Sequence, residues 1–418
     1  MRWIAFTLIS ISFAHSARAD DWPQWLGPNR DGTSKEIVKP WKDQPKVLWS
    51  TEVGEGHSSP IVAKGLVYLF DKVPNKDEDR LSAWTADTGK PVGTVSGERG
   101  PFSSPFGAGP RATPAFAGDL VYTLGVTGKL ASETLLRVPP DGAKVNSGFA
   151  INTLADFNAK NLTFGASASP LVEGDLIIAL VGGKGAGVVA FSRMSGQAVW
   201  KALDDPASYA SPIAIGEGVG DKRQIIVLTQ LGLASLSPKD GHVFWKFPFR
   251  DLLSESSTTP VKVGDLLIAS SVTLGSVALK MTEKDGKPAV EQVWKKPELT
   301  CYFSTPVPVG KDNLYMITGS FLPKPSVVLR CVETATGKTL WSKANIGKYH
   351  AALLRTGDDK LLLLADDGNL TLIEPSAASY KELARSKVCE ETWAHPALAN
   401  GKLYLRDNKK LYCLQLGE

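Results

Sequence analysis

One motif recurs along most of this chain of 418 residues and constrains its fold more than any other feature. Each copy opens with a small polar residue before proline, continues through an apolar pair and a Gly-Asp type turn, and then enters a strongly apolar strand. Two copies open with histidine, and one of these two lacks the proline; the eight openings are Ser59, Thr113, Ser169, Ser211, Thr259, Thr305, His350 and His395. Their spacing of about 42 to 56 residues predicts eight similar units rather than several unrelated domains.

The pattern inside each unit is typical of a small sheet. Apolar runs of four to six residues contain β-branched residues and tyrosine and are cut by glycine and aspartate, while helical periodicity is nowhere sustained. A last strand commonly runs from glycine to tryptophan, as from Gly196 to Trp200, and a unit of this length accommodates four strands. The widest unit carries an insertion around residues 146–164, which we expect to form a loop over one face.

The last unit is one strand short. Residues 403–405 and 411–414 read as two strands, and no glycine-to-tryptophan strand follows them. A lone apolar strand with one tryptophan, residues 47–51, precedes the first full unit. Docking it on the last sheet would leave no open sheet edge, which is how a closed ring of sheets is completed. The sequence therefore predicts an all-β fold: an eight-bladed β-propeller of four-stranded antiparallel blades, with an N-terminal strand closing the last blade.

The recurring tryptophan has a predicted structural role. A large flat side chain on an outer strand can pack over the glycine-rich turn of the neighbouring blade. We expect this packing, rather than ligand stacking, for Trp49, Trp200, Trp245, Trp294 and Trp341.

The first residues predict export. Met1-Arg2, an apolar run over residues 3–13 and Ala17-Arg18-Ala19 form a signal peptide pattern, so we divide the chain into a signal peptide 1–19, an N-terminal segment 20–45 and a propeller 46–418. No cysteine near the cleavage site can accept a lipid, and no other apolar run is long enough to span a membrane. A soluble periplasmic or secreted monomer is expected.

Composition narrows the partners. Basic and acidic residues nearly balance at 47 and 43, and no long charge run is present, which disfavours a nucleic acid or an anionic membrane surface.

Four cysteines without close spacing leave two alternatives open, buried free thiols or one disulfide; they are Cys301, Cys331, Cys389 and Cys413.

Several segments resemble a known group. Residues 195–200, 239–245 and 336–341 look like the tryptophan-docking repeat of pyrroloquinoline quinone (PQQ) propellers, and residues 21–32, 109–114 and 164–170 are similar to segments of exported PQQ-like repeat proteins. That group includes quinoprotein dehydrogenases, which oxidise alcohols or sugars with PQQ and Ca²⁺, and the propeller lipoprotein of the outer-membrane barrel-assembly machinery. The resemblance covers essentially the whole chain after residue 19 and implies the architecture more specifically than any activity.

The chain departs from both branches. It has no adjacent cysteine pair of the kind that covers the quinone in the alcohol dehydrogenases, no Cys-x-x-Cys-His haem signature and no lipid-acceptor cysteine. The leading hypothesis is therefore a binding or scaffold module, without a cofactor, for a periplasmic or envelope protein, a glycan or a small molecule. The alternative is a PQQ- and Ca²⁺-dependent alcohol or sugar dehydrogenase.

Ligands of propellers usually lie at the mouth of the central channel, where the connections between blades emerge. The openings of the blades predict a ligand site there. The candidate residues, chosen by their position in the repeat, are His57, Arg111, Ser169, Tyr209, Ser257, Tyr302, His350, Trp393 and His395. Hydrogen bonding that merely satisfies the channel backbone is the competing interpretation.

We expect no metal site. Turn residues expected at the same face include several carboxylates, but no calcium-loop pattern is present, and solvated turns are the simpler interpretation; these residues are Asp71, Lys184, Lys324, Asp366, Asp367 and Asp407. The glycine-rich residues 182–187 precede a strand-like segment, so a hairpin turn is expected there instead of a phosphate loop.

Overall fold

The computed structural model describes residues 21–134, 147–216, 223–320 and 325–417. The predicted signal peptide and Lys324 lie outside these ranges.

Thirty-two strands form eight antiparallel sheets of four strands, which confirms the predicted eight-bladed propeller. Blades 1 to 4 consist of β2 (Ile61–Ala63), β3 (Leu66–Lys72), β4 (Glu78–Thr85) and β5 (Pro91–Glu98); β6 (Ala115–Ala117), β7 (Leu120–Leu124), β8 (Lys129–Glu133) and β9 (Ser147–Asn152); β10 (Leu171–Glu173), β11 (Leu176–Gly183), β12 (Ala186–Ser192) and β13 (Ala198–Ala202); β14 (Ile213–Ile215), β15 (Gln224–Leu228), β16 (Gly232–Leu236) and β17 (Val243–Pro248). Blades 5 to 8 consist of β18 (Val261–Val263), β19 (Leu266–Ser271), β20 (Gly275–Lys284) and β21 (Lys287–Lys296); β22 (Val307–Val309), β23 (Asn313–Ser320), β24 (Ser326–Glu333) and β25 (Thr339–Ala344); β26 (Ala351–Arg355), β27 (Leu361–Ala365), β28 (Asn369–Ile373) and β29 (Glu382–Lys387); β30 (Ala397–Ala399), β31 (Lys402–Arg406), β32 (Lys410–Gln415) and β1 (Lys46–Glu52).

Neighbouring sheets cover both faces of the second strand of each blade. That strand is therefore buried along nearly its whole length, as in β15 and β27, whereas outer strands such as β17 alternate between half-buried and exposed residues. This explains why the second strand reads as a continuous apolar run in the sequence.

The N-terminal strand closes the ring, as predicted. Strand β1 pairs with β32 in the sheet ordered β1-β32-β31-β30, with Trp49 opposite Cys413 and Glu52 opposite Lys410. A register shift between Val47 and Trp49 marks a bulge in this outermost strand. The pairing covers the edge that β32 would otherwise expose.

The predicted packing of tryptophan over a glycine of the next blade is present for Trp49, Trp200 and Trp294, whereas Trp341 packs against Tyr380. A Cβ atom at Gly89 would lie 2.6 Å from the Trp49 ring, and one at Gly241 would lie 2.6 Å from the Trp200 ring. Each indole also donates from Nε1 to a backbone carbonyl of the next blade, Trp49 to Ala86 at 2.9 Å and Trp200 to Pro238 at 3.0 Å. Only glycine leaves room for the ring at these turns.

At five junctions between blades, a hydroxyl residue before proline links one blade to the next. Its side-chain oxygen accepts a hydrogen bond from the backbone N–H at the equivalent position of the preceding blade; the pairs are His395 to Ser59, Ser59 to Thr113, Thr113 to Ser169, Ser169 to Ser211 and Thr259 to Thr305. We call this ring of bonds the hydroxyl belt. It satisfies backbone groups that sheet pairing cannot reach, because adjacent blades do not share a ladder.

The N-terminal segment closes the channel at the end away from the mouth, where the inner strands finish. Trp22 exchanges two backbone hydrogen bonds with Val62 near the end of β2, and Ser34 donates its N–H to the carbonyl of Arg355 at the end of β26. Between these two contacts the chain crosses the channel, and the side chain of Arg30 is buried there. The segment is thus part of the folded ring.

One prediction about a loop needs correction, and another is confirmed. Residues 147–152 of the predicted insertion form β9, the outer strand of blade 2, and α1 (Thr153–Asp156) follows it, so only the remainder is a loop. Phe149 explains the strand, because its ring packs against Gly196 in the place that tryptophan takes elsewhere. The glycine-rich residues 182–187 form the predicted hairpin, with a turn at Lys184 and Gly185 between β11 and β12. All four cysteines are buried free thiols.

Candidate functional site

A cavity of about 150 Å³ lies at the mouth of the channel. All nine predicted candidates line it, although they come from eight connections along the chain; they are His57, Arg111, Ser169, Tyr209, Ser257, Tyr302, His350, Trp393 and His395. Their convergence follows from the ring, which turns equivalent openings of different blades toward one axis. Ligand binding by these residues stays a prediction.

The floor of the cavity is Trp25, from the N-terminal segment. Its indole Nε1 donates to Thr259 Oγ1 at 2.9 Å, and its ring lies edge-on to His395 with 4.6 Å between centroids. Arg30 holds this segment in place by donating to the carbonyl oxygens of Ser169 and Pro170, each at 2.9 Å. The mouth is therefore a cup rather than an open channel.

Aromatic rings surround the opening of the cup. Trp393 is central, with Phe303 at 5.0 Å, Phe106 at 5.4 Å and His57 at 5.9 Å between ring centroids. Phe106 in turn contacts Phe164 at 5.7 Å. These rings come from different connections between blades, so closure of the propeller is needed to assemble the apolar wall.

Two buried histidines form the polar wall of the cup. His350 and His395 are each 3% exposed and their rings lie 5.4 Å apart. Nδ1 of His350 contacts the Ser304 hydroxyl at 3.1 Å, whereas Nε2 of His350 and both ring nitrogens of His395 have no partner among the residues that the structure describes. Burial lowers the pKa of His395 to about 4 and that of His350 well below its ordinary value, so both rings are neutral at pH 7.

Asp366 fixes the loop that carries His350. Its carboxylate accepts the backbone N–H groups of Lys348, Tyr349 and His350 and is 3% exposed. The expectation of solvated turn carboxylates is wrong for this residue and also for Asp71 and Asp407, which are 1% and 3% exposed. Loops without regular structure need such acceptors for their N–H groups, and the turn pattern alone did not reveal them.

Arg111 organises the wall on the opposite side. Its guanidinium donates to the carbonyl oxygens of Gly109, Phe106 and Gly107 and to the hydroxyl of Ser104. Burial lowers the pKa of Arg111 to about 10, which leaves it charged at pH 7. The loop that presents Phe106 is therefore held by the arginine that the sequence marked as a ligand contact.

The carboxylate of the cup is already hydrogen bonded. Glu255 accepts a hydrogen bond from the hydroxyl of Tyr302. Burial raises the pKa of Tyr302, and this hydrogen bond raises it further. Among the described residues, no three His, Cys, Asp or Glu side chains are close enough to hold a metal ion. Nor does any helix in those ranges have the length and apolar character to cross a bilayer.

Sequence reasoning missed seven lining residues. Trp25 lay in a segment with no repeat pattern, and Glu255 looked like any other loop carboxylate; the remaining five are Phe106, Phe164, Ser167, Ser211 and Phe303. A usable signal was present for Phe303, which directly follows the predicted Tyr302 and stands just ahead of the Thr305 opening.

The fold and the cavity define an eight-bladed propeller with a plugged base and a ligand-sized cup at its mouth. A family profile described as PQQ-type, outer membrane protein assembly factor BamB, matches residues 155–321. This match over residues 155–321 agrees with the resemblance of the repeat motifs to PQQ-like propellers. No protein of curated function matches the sequence significantly.

Solved structures share the fold. BamB from Moraxella catarrhalis superposes with a TM-score of 0.61 at 15% identity, over 89% of this chain and 98% of that one. The quinohemoprotein alcohol dehydrogenase from Comamonas testosteroni superposes with a TM-score of 0.63 at 12% identity, over 97% of this chain and 82% of that one. Sqt1 from Saccharomyces cerevisiae superposes with a TM-score of 0.53 at 11% identity, over 92% of this chain and 98% of that one. Such different proteins on one fold leave function to the site.

Proposed function

We propose that this propeller is an exported binding protein that holds a small, mainly apolar, ring-shaped molecule in its mouth cavity. One observation carries the proposal: aromatic side chains from four separate connections enclose a cup with a built floor. Ligand sites of proteins are typically concave and apolar with a few placed polar groups. Export is supported by the pattern of residues 1–19. Of the partners expected from the sequence, this geometry favours a small molecule over a protein or a glycan.

The experiment measures binding of small ring compounds to the purified chain by calorimetry or ligand-observed NMR. Benzene, phenol and methyl glucoside serve as probes. We expect saturable binding of at least one probe and a loss of about tenfold or more in Phe303→Ala, because that change removes an aromatic wall contact.

The matched control is Phe244→Ala, on the outer strand β17 and away from the mouth. It should bind the probe as the native chain does. Failure of every probe to bind, or equal loss in both variants, would remove the cavity from consideration and favour a protein partner on the outer rim.

The quinoprotein alternative places specific demands on the site. Ca²⁺ takes six to eight oxygen ligands, and PQQ carries three carboxylates that need cationic partners. Among the described cavity residues, Glu255 is the carboxylate and is bonded to Tyr302, while the donors of Arg111 are engaged by its own loop. The residues present do not fit this pair. Titration with PQQ and Ca²⁺ tests the alternative, which requires a bound-quinone absorbance and dye-linked oxidation of an alcohol or sugar.

A further inference from the structure

The site occupies the place where the hydroxyl belt is interrupted. Six blades carry Ser or Thr at the belt position, but blade 7 has Ala351 and blade 8 has His395. One position earlier, blade 7 carries His350 where blade 6 has Ser304. In a repeat structure most positions are set by the shared architecture, so a departure from the repeat confined to one side of the ring indicates a separate role.

The interruption leaves polar atoms without protein partners. Nε2 of His350 and both ring nitrogens of His395 are buried and unpaired among the described residues, and both histidines line the cavity. Leaving a buried polar group unpaired is unfavourable, so native structures supply a partner from protein, water or ligand. A neutral imidazole presents one donor and one acceptor, which matches a hydroxyl group in both roles.

The other polar groups of the cup already have protein partners. The hydroxyls of Ser169 and Ser211 accept belt hydrogen bonds, and Ser257 donates to the carbonyl of Tyr302, so each keeps only part of its hydrogen-bonding capacity. A ligand with many hydroxyl groups, such as a sugar, would place several of them against aromatic rings. An anionic ligand would meet neutral histidines and an arginine that already donates to its own loop. Among the described cup residues, the buried atoms without a partner are the histidine nitrogens, and they correspond to one or two hydroxyl groups.

We propose that the cup selects an uncharged phenolic ring, with its hydroxyl bonded at the His350 and His395 pair and its ring packed against Trp393 and Phe303. This inference rests on the proposed function and names the ligand class of the same site. The volume of about 150 Å³ is of the size that accommodates a single aromatic ring. No charge needs to be buried, because both the ligand and the histidines are neutral.

The test compares four probes that differ in one property each, at pH 7: phenol, benzene, benzoate and methyl glucoside. We expect phenol to bind roughly 10- to 100-fold more tightly than benzene, because it satisfies the buried nitrogens. Benzoate should bind more weakly than phenol, because its charge must be desolvated without a free cation. Methyl glucoside should bind most weakly.

His395→Phe isolates the polar contribution, because it keeps a flat ring and removes both nitrogens. Phenol should lose about tenfold or more in affinity while benzene binds equally well or better. His242→Phe, on an exposed turn of blade 4, is the control and should change neither affinity. A folded His395→Phe protein is verified by its unfolding midpoint; if it does not fold, the ratio of phenol to benzene affinity in the native chain remains the test.

Each outcome has one meaning. Benzene binding as tightly as phenol overturns this inference but leaves the proposed function standing, with water as the partner of the histidines. Tighter binding of benzoate or methyl glucoside than of phenol also overturns it, and again leaves the cup as a binding site. Absence of binding by all four probes contradicts the proposed function itself.

Discussion

At the scale of single residues, the two histidines show how burial sets the chemistry of a site. The same side chain in solution would titrate near pH 6.5. In the cup, loss of hydration disfavours the charged form, so His395 keeps its ring neutral down to a pKa of about 4. Because the pKa of this ring differs between the folded and the unfolded chain, the stability of the protein must depend on pH.

We predict that His395→Gln flattens the acid end of the stability curve. The folded-state pKa lies below that of the unfolded chain, so the unfolded chain alone binds the proton between about pH 6.5 and 4. Stability therefore falls as the pH falls through this window, by about 3 kcal/mol for this residue. Urea unfolding at pH 7, 6, 5 and 4 should show a loss smaller by that amount in the variant, which keeps the contributions of His57 and His350, because burial lowers the pKa of each.

The effect of His395 must be taken from the difference between the stability curves of the native chain and the variant, and not from the native curve alone. Burial raises the pKa of Asp79 to about 6, which works in the opposite direction over the same window. The variant of an exposed residue, His242→Gln, should follow the native curve. Parallel curves for the native chain and His395→Gln would contradict the proposed burial of a neutral ring.

At the scale of strands and turns, the stability of the ring depends on contacts between adjacent blades. Three of the tryptophans, Trp49, Trp200 and Trp294, reach from an outer strand onto a turn of the next blade, where glycine both adopts a positive φ and leaves space for the ring. Both demands fall on Gly89, with a φ of 65° and Trp49 above it. Gly65 in the same blade has a φ of 75° but nothing within 4 Å of an added Cβ.

This pair separates backbone strain from steric overlap. Gly65→Ala should cost about 1 kcal/mol, because it brings a side chain into a left-handed conformation. Gly89→Ala should cost a further 1 to 3 kcal/mol or so, because its Cβ overlaps the indole of Trp49 and must displace it. Free energies of unfolding from denaturant titration measure both. An equal loss in the two variants would mean that the tryptophan contact contributes nothing to blade packing.

At the scale of the whole molecule, the N-terminal segment couples the ring to the site. It forms hydrogen bonds with six of the eight blades, through Val62, Phe116, Ser169 with Pro170, Thr259, Arg355 and Leu398. The segment ties together blades that do not otherwise touch. It also supplies Trp25, so assembly of the base and assembly of the cup are one event.

We predict that Arg30→Met lowers both the stability of the ring and the affinity of the cup. The change leaves the carbonyl oxygens of Ser169 and Pro170 without their donor, which should cost about 3 kcal/mol in the free energy of unfolding. Affinity for ring compounds at the mouth should fall as well, because Trp25 loses its support. Arg193→Met, which breaks a surface ion pair with Asp175, should cost less than about 1 kcal/mol. Unchanged binding in Arg30→Met would show that the floor does not depend on this anchor.

The sequence determined the architecture because the architecture is local and repeated. Strand length, turn position and the alternation of apolar runs are encoded within each unit, and eight copies of the same signal reinforce one another. The vacancy in the last unit and the lone strand at residues 47–51 even predicted the closing pair β1 and β32. The nine mouth residues could be found for the same reason, since a repeat position maps directly to a place around the axis.

The tertiary structure decided everything that depends on contacts between distant segments. Nothing in the sequence pattern indicates that Trp25 forms the floor, that Arg111 is engaged by its own loop, or that Asp366 is buried beneath three backbone N–H groups. Hydrogen bonds and burial are set by which loops meet at the axis, and those loops are outside the repeat. Their partners are therefore fixed only when the ring closes and brings residues hundreds of positions apart into one cup.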